Sequence, residues 1–249
     1  MFEISRAVVL AAGKGTRMGS MTQDIPKPML SIHGRPMLEL ILERLQTLGI
    51  SQVLIVTGYH GEVIEKHFEK TNSDAPHIAR KSQIPLRFEF VRQIPVNGTG
   101  SGALLARDFA GKEPFLLTYG DILCDPSEYK RCIQSLGTTD DTVAAVAVKW
   151  VDDPSQGAAV YEVDGRVKRI VEKPPQGTSA THWNSAGFYT FHPVLFDYLA
   201  RLRPSPRGEY ELTSALSDML EDGLDLRISP VQGEWRDVGR PEDLAAMNR

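Results

Sequence analysis

Near its start the chain carries a run of apolar residues, "RAVVLAA" (Arg6 to Ala12), that stops at a glycine and reads as a buried strand. In "RPMLELILERLQTLGI" the apolar positions Met37, Leu38, Ile41, Leu42, Leu45 and Leu48 recur at helical spacing, with Pro36 suited to a first turn and Gly49 to a C-cap. "QVLIVTG" predicts a second strand, "GEVIEKHFEK" a second amphipathic helix, and the alternating "LRFEFV" a third strand. The glycine-rich "NGTGSG" precedes a helix at "ALLARDFA" and a fourth strand at "PFLLTYGD". Strand and helix alternate, the pattern of a mostly parallel sheet covered by helices.

From Thr142 the period changes. "TVAAVAVKW", "GAAVYEVDGRVKRIVEK" and "SAGFYTF" read as strands, with Asp164-Gly165 as a hairpin turn. "YELTSALSDMLEDG" returns to a helix that ends near Gly223, and "RPEDLAAMNR" makes a short closing helix. No linker, low-complexity tract or tandem repeat interrupts the chain. The expected architecture is α/β, one domain over residues 1–249 with an α/β half (1–125) and a strand-rich half (126–249).

Composition narrows the function classes. With 41% hydrophobic and 24% charged residues, the 249-residue chain reads as a globular protein. A net charge of −4 argues against a nucleic-acid-coating surface, though not against a local basic pocket. No apolar run is long enough for a membrane helix, and "MFEISRAVVLAAGKG" lacks the marks of a signal peptide. Cys124 and Cys132 suggest neither a disulfide framework nor a zinc site, and the expected location is cytoplasmic. The six histidines (His33, His60, His67, His77, His182, His192) show no ligand spacing and read as surface or structural.

The candidate chemistry begins in "LAAGKGTRM". Gly13 and Gly15 let backbone N–H groups approach phosphate oxygens, Arg17 can fork onto them, and Lys27 between two prolines adds a compact positive charge. This is not a Walker loop, because Lys14 is followed by Gly15. It is not a dinucleotide turn either, because position 18 is Met. The loop lies between a buried strand and a helix, at the carboxyl edge of the expected sheet, where ligands bind in such folds.

"LAAGKGTRM" with "PKPML" resembles the N-terminal signature of the sugar-1-phosphate nucleotidyltransferases, the NDP-sugar pyrophosphorylases, and in particular glucose-1-phosphate thymidylyl- and uridylyltransferase-like members. The resemblance implies a Rossmann-like, GT-A-like mixed sheet, mostly parallel and flanked by helices. It also implies transfer of a nucleotidyl group from an NTP to a sugar 1-phosphate, releasing pyrophosphate. Later motifs arrive in the family's order. "RQIPVNGTGSGALL" is similar to the base-reading segment, which implicates Gln93, Gly98 and Thr99; Leu10, Ala11, Ala12, Gly13, Gly15, Thr16 and Gly120 complete the implied nucleotide site. "LLTYGDIL" and "WRDVGRPEDL" resemble the two segments whose aspartates, Asp121 and Asp237 here, bind Mg²⁺. "DPSQGAAVYEVDGRVKRIVEKP" resembles the sugar pocket, placing Gly157 against the sugar, Glu172 on its hydroxyls and Lys173 on its phosphate. "RGEYELTSAL" implies that Arg207 also approaches the phosphates.

Two departures fall around the sugar. Relatives often read N-x-G entering the pocket, whereas here Ser185 stands two before Gly187 and Asn184 three before, so either side chain could take the contact. The turn before Gly157 is also one residue shorter than the common form. The resemblance makes Arg17, Lys27, Asp121 and Asp237 the catalytic set, with no general base required because a sugar phosphate is already ionised. It favours UTP or dTTP with glucose 1-phosphate. The alternatives are a mannose- or heptose-1-phosphate guanylyltransferase, a phosphocholine-type cytidylyltransferase, or a non-catalytic nucleotide-sugar sensor. No C-terminal β-helix is expected, and a homo-oligomer is left open. Asp125 reads as a helix cap, Trp235 as core, and Tyr59 as either cleft wall or packing.

Overall fold

A computed structural model describes residues 3–73 and 86–249; His77 lies outside the described residues. The chain runs β1 (Arg6–Leu10), β2 (Ser31–Ile32), β3 (Arg35–Pro36), α1 (Met37–Thr47), β4 (Gln52–Thr57), α2 (Gly61–Ser73) and β5 (Arg87–Arg92). Next come α3 (Thr99–Leu104), α4 (Arg107–Ala110), β6 (Phe115–Tyr119), β7 (Ile122–Cys124), α5 (Pro126–Leu136) and β8 (Thr142–Trp150). The remainder is β9 (Ala158–Val163), β10 (Arg166–Glu172), β11 (Trp183–Phe191), α6 (Leu195–Leu199), α7 (Leu212–Glu221), β12 (Asp225–Pro230), β13 (Trp235–Asp237) and α8 (Pro241–Met247).

Nine strands form one sheet in the order β5-β4-β1-β6-β11-β8-β12-β10-β9. From β5 to β6 every neighbour is parallel; β11 then pairs antiparallel with both β6 and β8. Both faces of the parallel part are covered, which is why β1 is apolar without alternation. Ala7 and Val9 face the cluster containing α1, and Val8 faces the cluster containing Phe115, Tyr189 and α7. The Asp164-Gly165 turn has φ of 52° and 75°, the left-handed pair that a tight hairpin between β9 and β10 requires. Among the described residues no helix is long and apolar enough to cross a membrane.

Four local expectations shift. Pro36 precedes the first helical residue rather than opening the first turn. The helix expected at "ALLARDFA" begins earlier, at Thr99, and breaks after Leu104 before α4. The glycines of "NGTGSG" are therefore partly helical, and they serve close packing. A side chain at Gly100 would collide with Leu202 and the Tyr210 backbone, and Gly100 N donates to Tyr210 O at 2.7 Å. Strand β11 starts two residues earlier than the pattern suggested, and β12 and α6 were not apparent from the pattern.

Candidate active site

Two adjoining cavities open at the carboxyl ends of β1 and β6. The first, about 500 Å³, is bounded by the loop after β1, by Gln93 and by the Gly98–Thr99 start of α3. The second, about 300 Å³, lies against β9, β10 and β11. Arg17, Thr99, Tyr119, Asp121 and Glu209 belong to the walls of both.

All the residues expected around the nucleotide line the first cavity. Leu10 O accepts from Gly120 N at 2.8 Å, and Ala12 O accepts from Tyr59 N at 3.1 Å, so the root of the loop is tied to both neighbouring segments. Beyond it Gly13, Gly15 and Thr16 run along the rim, with Met18 buried as an anchor and Thr22 Oγ1 donating back to Gly15 O at 3.1 Å. Ala11 lines the same wall. Gln93 is buried, and its amide nitrogen donates to Gly98 O and Ser101 Oγ, both at 2.8 Å. That nitrogen thus braces its own loop.

Lys27 sits in a single tight turn between Pro26 and Pro28 and is only 7% exposed. Its ammonium donates to Asp121 Oδ2 at 2.5 Å. Asp121 occupies the turn between β6 and β7, and β13 pairs with β7 so that Asp237 stands opposite Ile122. The two aspartates are thereby neighbours. Asp237 opens onto the cleft, yet protein crowds its carboxyl on the other sides. That desolvation comes first in pushing it up to about 6; the charge of Asp121 adds to the rise, and Lys27 and Arg17 oppose it. Among the described residues no third carboxylate, imidazole or thiol joins them in a metal-binding cluster.

The residues expected around the sugar phosphate line the second cavity. Gly157 is held against Asn184: a Cβ there would lie 2.5 Å from Asn184 Oδ1. Among the described residues Asn184 Oδ1 is a buried oxygen without a hydrogen-bond partner, whereas Ser185 Oγ is engaged by Tyr189 Oη at 2.6 Å. The β11–β8 pairing slips between Ser185 and Tyr189, a bulge in the stretch that departs from the family spacing. Lys173 has φ of 42°, and its N–H donates to Gly157 O at 2.8 Å. Such left-handed backbone is uncommon outside glycine and concentrates at functional sites.

Arg207 is surrounded by carboxylates. Nη1 lies 3.0 Å from Glu211 and 3.4 Å from Glu172, and Nη2 lies 3.6 Å from Glu209. Thr213 Oγ1 donates to the other oxygen of Glu172 at 3.0 Å. Burial raises the Glu211 carboxyl above its ordinary value, the charge of Glu172 adds to this, and Arg207 acts against it. Glu209, Glu211 and Thr213 lie within "RGEYELTSAL", but their contacts with Arg207 and Glu172 arise only when the segment folds over the pocket. Local sequence does not single out Tyr119 either. Its ring forms part of both cavity walls, and its Oη approaches Tyr189 Oη at 3.4 Å.

Other readings resolve in space. Asp125 caps α5 by accepting from Ser127 N at 2.8 Å. Tyr59 braces the far end of the glycine-rich loop after β1: its Oη donates to Gln23 O at 3.1 Å, and His60 Nε2 reaches the same carbonyl at 2.9 Å. Trp235 packs against the core and donates Nε1–H to Ala186 O at 2.9 Å, and its side also faces the second cavity. Cys124 and Cys132 are both buried and unbridged.

A family model for nucleotidyl transferases matches residues 6–249. The chain is 33% identical over 243 residues to the bifunctional protein GlmU of Methanococcus aeolicus, a match covering 97% of this chain and 53% of that protein. It thus spans about half the length of the GlmU relatives it matches. It is 31% identical over 242 residues to the UTP–glucose-1-phosphate uridylyltransferase AglF of Haloferax volcanii, covering 96% and 93% of the two chains. A solved structure of UDP-glucose pyrophosphorylase with UDP-glucose superimposes with a TM-score of 0.86 at 26% identity, covering 99% of this chain and 97% of that one. The Rossmann-like α/β architecture is shared across that whole length.

Proposed function

The chain belongs to the nucleotidyl transferase family, and from that premise we propose that it transfers a nucleotidyl group from an NTP to a sugar 1-phosphate, forming an NDP-sugar and pyrophosphate. The observation that carries this reading is the meeting of the two cavities at Arg17, Tyr119 and Asp121. A reaction between two anions needs a seat for each and a shared wall where their charge is neutralised. Positioning and electrostatics then carry most of the catalysis, as in other phosphoryl transfers.

In this reading the loop from Leu10 to Arg17 grips the triphosphate, and Arg17 stabilises the departing pyrophosphate. Lys27 approaches the α-phosphate. Gln93, Gly98 and Thr99 meet the base, with Gln93 offering its carbonyl side because its amide nitrogen is occupied. Lys173 and Arg207 hold the sugar phosphate, while Gly157, Glu172 and Asn184 shape the sugar seat, the bare Asn184 oxygen awaiting a donor. Ser185 supports that seat through Tyr189.

Asp121 and Asp237 offer hard carboxylate oxygens, a donor set that suits Mg²⁺ completed by water and phosphate oxygens. When bound there, Mg²⁺ would supply charge neutralisation between the two phosphates. The sugar-phosphate oxygen attacks the α-phosphorus in line, and the bond to pyrophosphate breaks. No residue need remove a proton, because the nucleophile is already ionised. We read residues 1–125 as the nucleotide half and 126–249 as the sugar half, and place the reaction in the cytoplasm.

UTP with glucose 1-phosphate is the preferred pair, because the Haloferax relative is named for both and the solved relative is a UDP-glucose pyrophosphorylase. The test is a matrix of five NTPs against several sugar 1-phosphates and phosphocholine with Mg²⁺, read by pyrophosphate release. Release with UTP and glucose 1-phosphate is expected. A dominant signal with dTTP, GTP or CTP would reassign the base, and none with any pair would sink the enzymatic reading in favour of a sensor.

A further inference from the structure

Lys27 and Asp121 cannot serve as described while they hold each other. The ammonium sits on Asp121 Oδ2 at 2.5 Å, so that oxygen is unavailable to a divalent cation and the ammonium is unavailable to a phosphate. The pair is well shielded, with side-chain exposures of 8% for Lys27 and 25% for Asp121. In such surroundings an ammonium and a metal ion sharing one carboxylate would repel strongly. Asp237, by contrast, forms no ion pair among the described residues, so it is free to act as half of a site.

The placement of Lys27 also suggests what would release it. It lines the first cavity, whereas Asp121 borders both. Pro26 and Pro28 hold the backbone on either side, so an anion entering the first cavity could draw the ammonium across by rotation of its flexible stem alone.

Building on the functional reading above, we propose that Lys27 is an internal stand-in for the divalent cation. In the empty cleft it occupies Asp121 and keeps metal affinity low. The α-phosphate of the incoming nucleotide draws Lys27 away, freeing Asp121 to join Asp237, so that nucleotide and metal load together. By linkage the coupling is reciprocal, and the metal must strengthen nucleotide binding by the same factor.

The test measures Mn²⁺ affinity by electron paramagnetic resonance, with no turnover involved. UMP serves as the second probe, because it carries the α-phosphate but chelates metal weakly. Lys27→Met is expected to bind Mn²⁺ at least about fivefold more tightly than the wild type without nucleotide, the lower end of ordinary coupling. Saturating UMP should raise wild-type affinity by a similar factor and leave Lys27→Met unchanged. Arg17→Met removes a nearby charge that is not bonded to Asp121, and should gain little. The proposal is overturned if Lys27→Met binds no more tightly than the wild type, or if Arg17→Met gains as much. If the Lys27→Met/Asp121→Asn double variant keeps the full gain, the metal does not sit on Asp121, and the metal assignment itself has failed. Lys27→Gln, which keeps most of the stem, is the second variant, and thermal melts establish that each protein is folded.

Discussion

The backbone N–H of Val238 donates to the carbonyl of Asp121 at 3.0 Å, joining two segments that lie on opposite sides of strands β8 to β12 in sequence. With the Asp237–Ile122 register of β13 on β7, this bond sets the two cleft carboxylates side by side. Nothing local to either segment could produce that arrangement.

Asp237→Asn keeps the shape of the side chain and removes its charge. Pyrophosphate release is expected to fall by about 10²–10³-fold, the usual cost of losing one group that stabilises transition-state charge. The thermal midpoint at neutral pH should not fall and is expected to rise, because desolvation and the charge of Asp121 push the Asp237 carboxyl up to about 6 and Asn removes that disfavoured charge. Steady-state kinetics and a thermal melt on the same preparation check both.

Gly98→Ala should act on the fold. Gly98 has φ of +132°, and a Cβ would run into the backbone of Tyr210, which has no flexible end to move aside. The strained backbone alone costs about 1–3 kcal/mol, and the collision adds to it. A fall in the urea midpoint with an unchanged slope is the expected reading.

Asp125→Ala separates a cap from a metal ligand, since Asp125 lies close to Asp121 in sequence. Losing the bond to Ser127 N should cost about 1 kcal/mol of stability and leave Mn²⁺ affinity unchanged. A weakened metal would contradict the assignment of Asp125 to capping.

Burial pushes the Cys124 and Cys132 thiols up from 9.0 to about 12. Both should be silent to Ellman's reagent at pH 8 in the native protein and reactive in denaturant. Because the folded values are raised, the stability linked to these protons is present in full below 9.0 and is lost as pH rises from there toward 12. Urea titrations across that alkaline window should show declining stability.

Much of the fold was readable in the chain because its signals are local. The parallel strands β1, β4 and β6 are apolar on both faces, and α1, α5 and α7 repeat at helical spacing, α5 with Asp125 as its side-chain cap. Strand β12 carries little local apolar signal, because its polar residues are satisfied by partners distant in sequence or along the strand. Asp225 accepts from Thr142 at 2.8 Å and from Arg227 at 2.8 Å, so a charged stretch can pair with β8. The helical turn at Thr99–Leu104 was masked by glycines whose purpose is contact with Leu202, Tyr210 and Gln93.

The candidate site divides along the same line. Residue types and spacing nominated the glycine-rich loop with Arg17 and Lys27, whereas both aspartates and the sugar-side residues were implied only by the resemblance of their short segments to the family's motifs. Which of Asn184 and Ser185 keeps a spare oxygen beside the second cavity depends on packing: Gly157 leaves room for Asn184, while Tyr189 holds Ser185. Folding also joined Lys27 to Asp121 and wrapped three carboxylates around Arg207. Local pattern specifies which chemical groups a segment carries and the conformation it prefers. The partners those groups meet depend on how a nine-stranded sheet closes, a non-local balance of packing and charge that no single stretch encodes.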